Sequence, residues 1–351
     1  MAGDPRALLM KAEKLKIAAG GGFSFFGSKT DKFEQAADAY LQAANAFRML
    51  QHGREAGDAF LQAAAIQRDQ LKELDDEAQT LQEAFKAYRK EDPLKAANCL
   101  DKTIQHYCSK GNFRRAATFK EQLGDMFEEE ASNMPDKLEA LPFTLKAAAA
   151  YKDAASWYDA DNATALANKL WLKTADIFAL LGGQEPDKAD KGKADRFLHA
   201  FSSAGLDLPD SRDPNDYYYK AIAIYRQVAE KSLNNNLMRY SVKEYLFKAS
   251  ICHICTMDPP GIKKAFADFS GMYPQFAKER EGILIMNLAF TMDRSENPEA
   301  PDPDKFGEHL FVFNDFMPLD KWKITLLLRV KEKLIKKDAG ALELDEEDDF
   351  A

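Results

Sequence analysis

The chain has 351 residues, ample for a large core, either as one elongated array or as two subdomains. With 46% apolar and 30% charged residues the composition argues against wholesale disorder, and a net charge of -9 disfavours nonspecific binding to nucleic acid. Four cysteines (Cys99, Cys108, Cys252, Cys255) do not make a disulfide framework in a chain this long, no secretory leader is visible, and the longest uncharged apolar run, 282–292, is too short to span a bilayer. A reducing cytosolic setting is expected.

Asp4 can cap a first helix with Pro5 at its first position, followed by the break Gly20-Gly21-Gly22-Phe23-Ser24-Phe25-Phe26-Gly27-Ser28. An alanine-and-aromatic pattern then returns about every twenty residues, with last anchors Phe47, Gln67, Tyr88, Tyr107 and Phe127. Within one segment Ala37, Tyr40, Ala44 and Phe47 lie three or four apart and share a helical face. Five helices are expected over 31–130, punctuated at Gly53, Asp75-Asp76, Asp92-Pro93 and Gly111-Asn112. No single such helix can bury its stripe alone, so neighbours must stack. The period predicts an all-α helical solenoid, a surface suited to binding before catalysis.

Two interruptions follow. The prolines Pro135 and Pro142 mark the first, and the pattern resumes at 147–158 and 164–181. Residues 182–216 read as a flexible, proline-containing excursion with one helical stretch near 193–201, after which 221–228 restores the repeat. Beyond Tyr240 helical patterning continues over 242–257, 262–269 and 280–291. After the polar break 296–303 come 306–316 and a last helix at 320–337. The acidic end 345–349 reads as a disordered tail. The expected organisation is therefore an N-terminal array over 1–181, an insertion over 182–216, the rest of the array with a C-terminal bundle over 217–337, and a tail over 338–351.

Candidate chemistry is sparse. The stretch from Gly22 to Thr30 is one residue off a phosphate-binding loop, because Ser28 separates Gly27 from Lys29, and no strand precedes it. Cys252-His253-Ile254-Cys255 has the spacing of a zinc half-site, but Cys99 and Cys108 form no second close pair, so buried thiols are the better reading. The five histidines neighbour no nucleophile in a motif. No catalytic residue, cofactor or metal is expected. Phe23, Phe25 and Phe26 either tuck back onto the first helices or form a membrane- or partner-touching loop; Lys11, Lys14, Lys16, Lys29 and Lys32 would suit an anionic lipid surface. Arg114, Arg115, Lys120, Lys169 and Lys173 fall on successive repeat helices, either as ordinary surface charge or as a basic stripe for an acidic partner.

Several strings resemble the soluble NSF attachment protein family in its fungal form. They are the glycine–phenylalanine loop, Lys32-Phe33-Glu34-Gln35-Ala36-Ala37, Phe113-Arg114-Arg115-Ala116-Ala117, Leu166-Ala167-Asn168-Lys169, 240–249 and 316–328. The resemblance implies a non-enzymatic adaptor with a tetratricopeptide-like twisted sheet of helices and a C-terminal bundle. Such a protein wraps an assembled SNARE bundle and recruits the hexameric ATPase NSF, which takes the bundle apart with ATP. It implies a membrane-touching role for Phe23, Phe25 and Phe26 and SNARE contacts for Lys169 and Lys173. Thr118 stands at a further basic position of the family, so Arg114, Arg115 or Lys120 would have to compensate. It further implies NSF contacts for Glu244, Asp293, Asp348, Asp349 and Phe350, although Phe290 and Arg294 replace neighbouring family acids. The implied location is cytoplasmic and peripheral to fusing membranes. A general helical-repeat scaffold that captures a peptide is the alternative, and an enzyme built on a helical array is a third reading.

Overall fold

The computed structural model describes residues 4–21, 28–184, 189–206, 213 and 215–348, with 339–348 described by backbone alone. Fifteen α-helices and, among the described residues, no strand make up the chain, as the periodicity predicts. Two compact units divide it, Met1–Ala167 and Asn168–Ala351.

The first unit stacks α1 (Pro5–Gly20), α2 (Lys29–Met49), α3 (Gly53–Ile66), α4 (Leu74–Tyr88), α5 (Pro93–Ser109), α6 (Phe113–Asn133) and α7 (Lys137–Ala160), each packed on the next. Helix starts follow side-chain caps. Asp4 accepts from the Arg6 amide at 3.1 Å, Asp92 from Lys95 at 3.1 Å ahead of Pro93, and Asn112 from Arg115 at 3.2 Å. Ser28 and Asp31 form a reciprocal capping box on α2.

The break expected at Asp75-Asp76 falls earlier. A π-helical turn, Gln67–Leu71, ends at Lys72 with φ +63°, and the two aspartates sit in the first turn of α4. Gln67 is the polar member of the anchor series. It is buried and its Oε1 has no partner, where an aromatic ring would simply pack.

The anchors work as pairs. Gly57 lies flat under the Tyr88 ring, where an added Cβ would come within 2.5 Å, and Gly124 lies under Tyr151, where it would come within 2.6 Å. The residue after each glycine then accepts the phenol: Tyr88 donates to Asp58, and Tyr151 to Asp125 at 2.7 Å and to Glu128 at 2.6 Å. Glycine permits the close approach and the neighbouring carboxylate satisfies the buried hydroxyl, so the ring is fixed at both ends.

The first interruption is not a loop. The extra residues lengthen α6 and α7, and Pro142 stands inside α7, with Ala140 and Leu141 buried and Phe143 6.2 Å from Phe127. Pro142 is the sixth residue of its helix, past the four N–H groups that lack an intrahelical partner, so it costs α7 one bond to the Leu138 carbonyl.

The second unit holds most of α8 (Thr164–Leu181), with α9 (Lys191–Ala204), α10 (Asp216–Leu233), α11 (Val242–Cys255), α12 (Pro259–Met272), α13 (Arg280–Phe290), α14 (Pro303–Phe316) and α15 (Lys321–Asp348). Helix α11 is its hub: α10, α12, α13 and α15 all pack on it, and nine of its residues are buried. The stretch read as a flexible excursion carries α9, longer than the 193–201 expected. Phe197, Ala200 and Phe201 are buried, and Phe201 meets Tyr217 edge-on at 5.6 Å. These rings are spaced four apart, a one-face signal too short to stand out among the surrounding polar residues. The backbone of the expected tail continues as α15 to Asp348.

Candidate partner-binding surfaces

The 316–328 string closes the second unit. Trp322 donates its indole N–H to the Asp176 carbonyl at 2.9 Å, and Arg329 donates to the Leu180 carbonyl at 2.9 Å, pinning α15 to α8. Lys248 of α11 binds the Asp176 carboxylate at 2.7 and 3.0 Å while its ammonium lies 4.9 Å from the Trp322 ring centroid. Tyr225 of α10 donates to the same carboxylate. Burial first, then the Asp176 charge, pushes the Tyr225 phenol well above its usual range, which keeps it a donor. Four helices thus meet on Asp176. The string that looked most diagnostic is a clamp.

The basic residues do not share one environment. In the first unit Arg114 pairs with Asp161 at 3.3 Å, Lys120 pairs with Asp153 of α7 at 3.4 Å, and Arg115 lies over the Tyr107 ring of α5 at 4.6 Å. Thr118 meets Tyr158 at 3.0 Å between hydroxyl oxygens. In the second unit Lys169 is exposed and Lys173 half-buried on α8, one turn apart. Beside Lys169, Asn168 turns inward and its amide lies 3.8 Å from the Met238 sulfur, which brings the α10–α11 connection to this end of α8. Leu237 and Tyr240, flanking Met238, are each 91% exposed. Two large side chains so fully in water thus sit on the connection that meets this end of α8. Periodicity passed over them because they fall between helices; the sequence signal is two apolar residues beside three consecutive asparagines, 234–236.

The acidic residues also differ. Glu244 is exposed enough to meet a partner, though Lys323 reaches it at 2.6 Å and shares its ammonium with Asp320 at 2.6 Å. Asp293 is 8% exposed, and Lys263 and the Ser295 hydroxyl and amide take up its oxygens. Lys263 first and Ser295 next hold its carboxyl down at about 2. Asp293 therefore shapes the turn after α13. Phe290 is an exposed ring at the end of that helix. Phe23, Phe25, Phe26, Asp349 and Phe350 lie outside the described residues, and Asp348 is described only as the last backbone position of α15.

Cys252 and Cys255 are buried in α11. Burial raises the Cys255 thiol to about 12 and that of Cys252 well above its usual value, so both stay protonated near neutral pH, the buried thiols that the sequence reading favours. No group of three or more histidine, cysteine or carboxylate residues suited to a metal occurs among the described residues, and none of their helices is long and apolar enough to cross a membrane.

Two helical units, one a stack and one gathered on a hub, with basic and large apolar side chains exposed, describe a helical-repeat protein. The chain belongs to the soluble NSF attachment protein family, whose sequence profile matches residues 3–190 and 203–335. The gap in that match, 191–202, falls within α9, whereas the lengthened α6 and α7 lie inside it. A probable vesicular-fusion protein sec17 homolog of Neurospora crassa is 37% identical over 338 residues, 96% of this chain and 99% of that protein. The alpha-soluble NSF attachment protein of Saccharomyces cerevisiae is 30% identical over 97% of this chain and 99% of its own length, and that of Homo sapiens 30% identical over 94% and 95%.

Proposed function

We propose that this protein is a non-enzymatic adaptor of vesicular fusion that grips assembled SNARE complexes and attaches an NSF-type ATPase to them for disassembly. The family match, running through both units, carries the reading. Lys169 and Lys173, joined by Leu237 and Tyr240, form the SNARE-facing contact of the second unit: cations select an acidic helical rod and the two apolar side chains supply burial. Arg114, Arg115 and Lys120 serve the same partner from the first unit. Each already has an internal counterpart, so binding there exchanges one ion pair or ring contact for another. Glu244 and the acidic end with Asp348, Asp349 and Phe350 attach the ATPase, while Asp293 acts by holding its turn. Phe23, Phe25 and Phe26 add weak membrane affinity, which several adaptor copies on one complex would multiply. The protein works peripherally, at the surfaces of fusing vesicle, vacuole, Golgi or plasma membranes.

The test combines purified SNARE complex, an NSF-type ATPase, ATP and this protein. Disassembly should accelerate only when all four are present; a rate unchanged by adding this protein overturns the reading.

A further inference from the structure

Three repeat tyrosines are locked by a carboxylate on an earlier helix: Tyr88 by Asp58, Tyr151 by Asp125 and Glu128, and Tyr225 by Asp176. Tyr40, from the first repeat, is buried to the same degree, at 2% exposure, but its hydroxyl has no hydrogen-bond partner among the described residues. Its ring instead lines a cavity of about 530 Å³ between α1, α2 and α3. Burial, and then the charge of Glu13, raise the phenol above its usual range, so the hydroxyl stays protonated.

The rest of the lining says what would fit. Leu9, Ile17 and Phe47 provide an apolar wall, and Glu13 and Glu55 face the space with carboxylates. Glu13 has no ion-pair partner among the described residues, and Glu55 has only His52, at 3.9 Å. The third acid, Asp58, is already held by Tyr88 and by Lys95 at 2.8 Å. Lys16, the one lysine of the lining, is tied to Gln62 at 2.7 Å. Setting Asp58 against Lys95, the two glutamates and Lys16 leave one negative charge, so a single cation balances the cavity. An acidic group would meet two carboxylates, and a wholly apolar one would desolvate Glu13 and the Tyr40 hydroxyl without pairing either.

We propose that this cavity receives one arginine or lysine side chain from a basic peptide segment of a partner protein. The aliphatic stem lies along Leu9, Ile17 and Phe47, the charged head sits between Glu13 and Glu55, and the Tyr40 oxygen accepts a hydrogen bond from it. The inference stands on the first unit alone and does not depend on the adaptor reading.

The test uses a fluorescein-labelled nine-residue glycine–serine peptide with two central arginines, its two-glutamate counterpart, and the full chain, read by fluorescence anisotropy. The arginine peptide should bind the wild type and lose roughly fivefold in affinity to Glu13→Gln with Glu55→Gln. Tyr40→Phe, which keeps the ring, should cost about threefold. Glu34→Gln with Asp76→Asn removes two exposed carboxylates of the same unit outside the cavity and should leave binding within roughly 1.5-fold. Circular dichroism and thermal midpoints matching the wild type qualify each variant. Affinity unchanged in the cavity variants, equal loss in the control pair, or tighter binding of the glutamate peptide each overturns the proposal.

Discussion

The two units solve one problem by different means. The first is repetitive: each helix packs on the next, and Gly57 under Tyr88 and Gly124 under Tyr151 repeat one device. The second gathers its helices on a hub, α11, and fastens them through a half-buried polar knot on Asp176. A stack spreads its stability over nearest-neighbour contacts, so damage stays local, whereas a hub concentrates it, so one side chain can loosen several helices.

That contrast can be broken most directly at Trp322. Trp322→Ala should cost about 3 kcal/mol and raise hydrogen exchange together in α8, α10, α11 and α15; a rise confined to α15 would show that the knot is not shared. Gly57→Ala and Gly124→Ala should each cost roughly 1–3 kcal/mol, because the new Cβ must displace a tyrosine ring. Exchange should then rise only in the two helices flanking the substitution, and spread across all of α1–α7 would refute the nearest-neighbour picture.

Acid separates the units next. His253 on α11 is half-buried, and the desolvation of its ring lowers its pKa from 6.5 to about 4. The unfolded chain therefore binds more protons between those values, and the stabilisation is complete above pH 6.5 and lost as pH falls through 4. Denaturant titrations should show the wild type losing about 2 kcal/mol from pH 7 to pH 5 on this account, a slope that His253→Phe should flatten. Asp293 adds a lower window: its folded value of about 2 lies below the ordinary 3.8, so its contribution is present above 3.8 and disappears toward pH 2. Asp293→Asn should remove that step; its persistence would assign the low-pH loss to other carboxylates.

The smallest effects on stability belong to the surfaces. Lys169→Glu with Lys173→Glu should weaken SNARE-complex binding roughly tenfold or more at low salt and leave helicity unchanged. Leu237→Ser with Tyr240→Ser should weaken it with less salt dependence, since burial rather than charge is lost. Pull-downs across a salt series read both, and equal binding by all variants would remove this face from the interface.

Much of the architecture is legible in the sequence. The twenty-residue period, the caps at Asp4, Asp92 and Asn112, and the buried cysteine pair all follow from local spacing and residue chemistry. Where the reading diverged, long-range packing decided. The prolines near 135–142 marked an interruption, yet only 134–136 lie outside helices, and α7 runs through Pro142 with Ala140 and Leu141 buried. Residues 182–216 lacked repeat logic, yet Phe197 packs on Phe201 and Phe201 on Tyr217. The resemblance implied a partner contact for Asp293, and the structure closes Lys263, thirty residues earlier, over it.

The sequence by itself determined that the chain is a stack of helices, because helix period, capping and the small-residue spacing of Ala36, Ala43 and Ala44 act over a few residues. Only the tertiary structure decided which charges are spent internally and which meet water. A carboxylate or ammonium has no fixed role until burial and its nearest counter-charge are known, and both are set by residues tens of positions away.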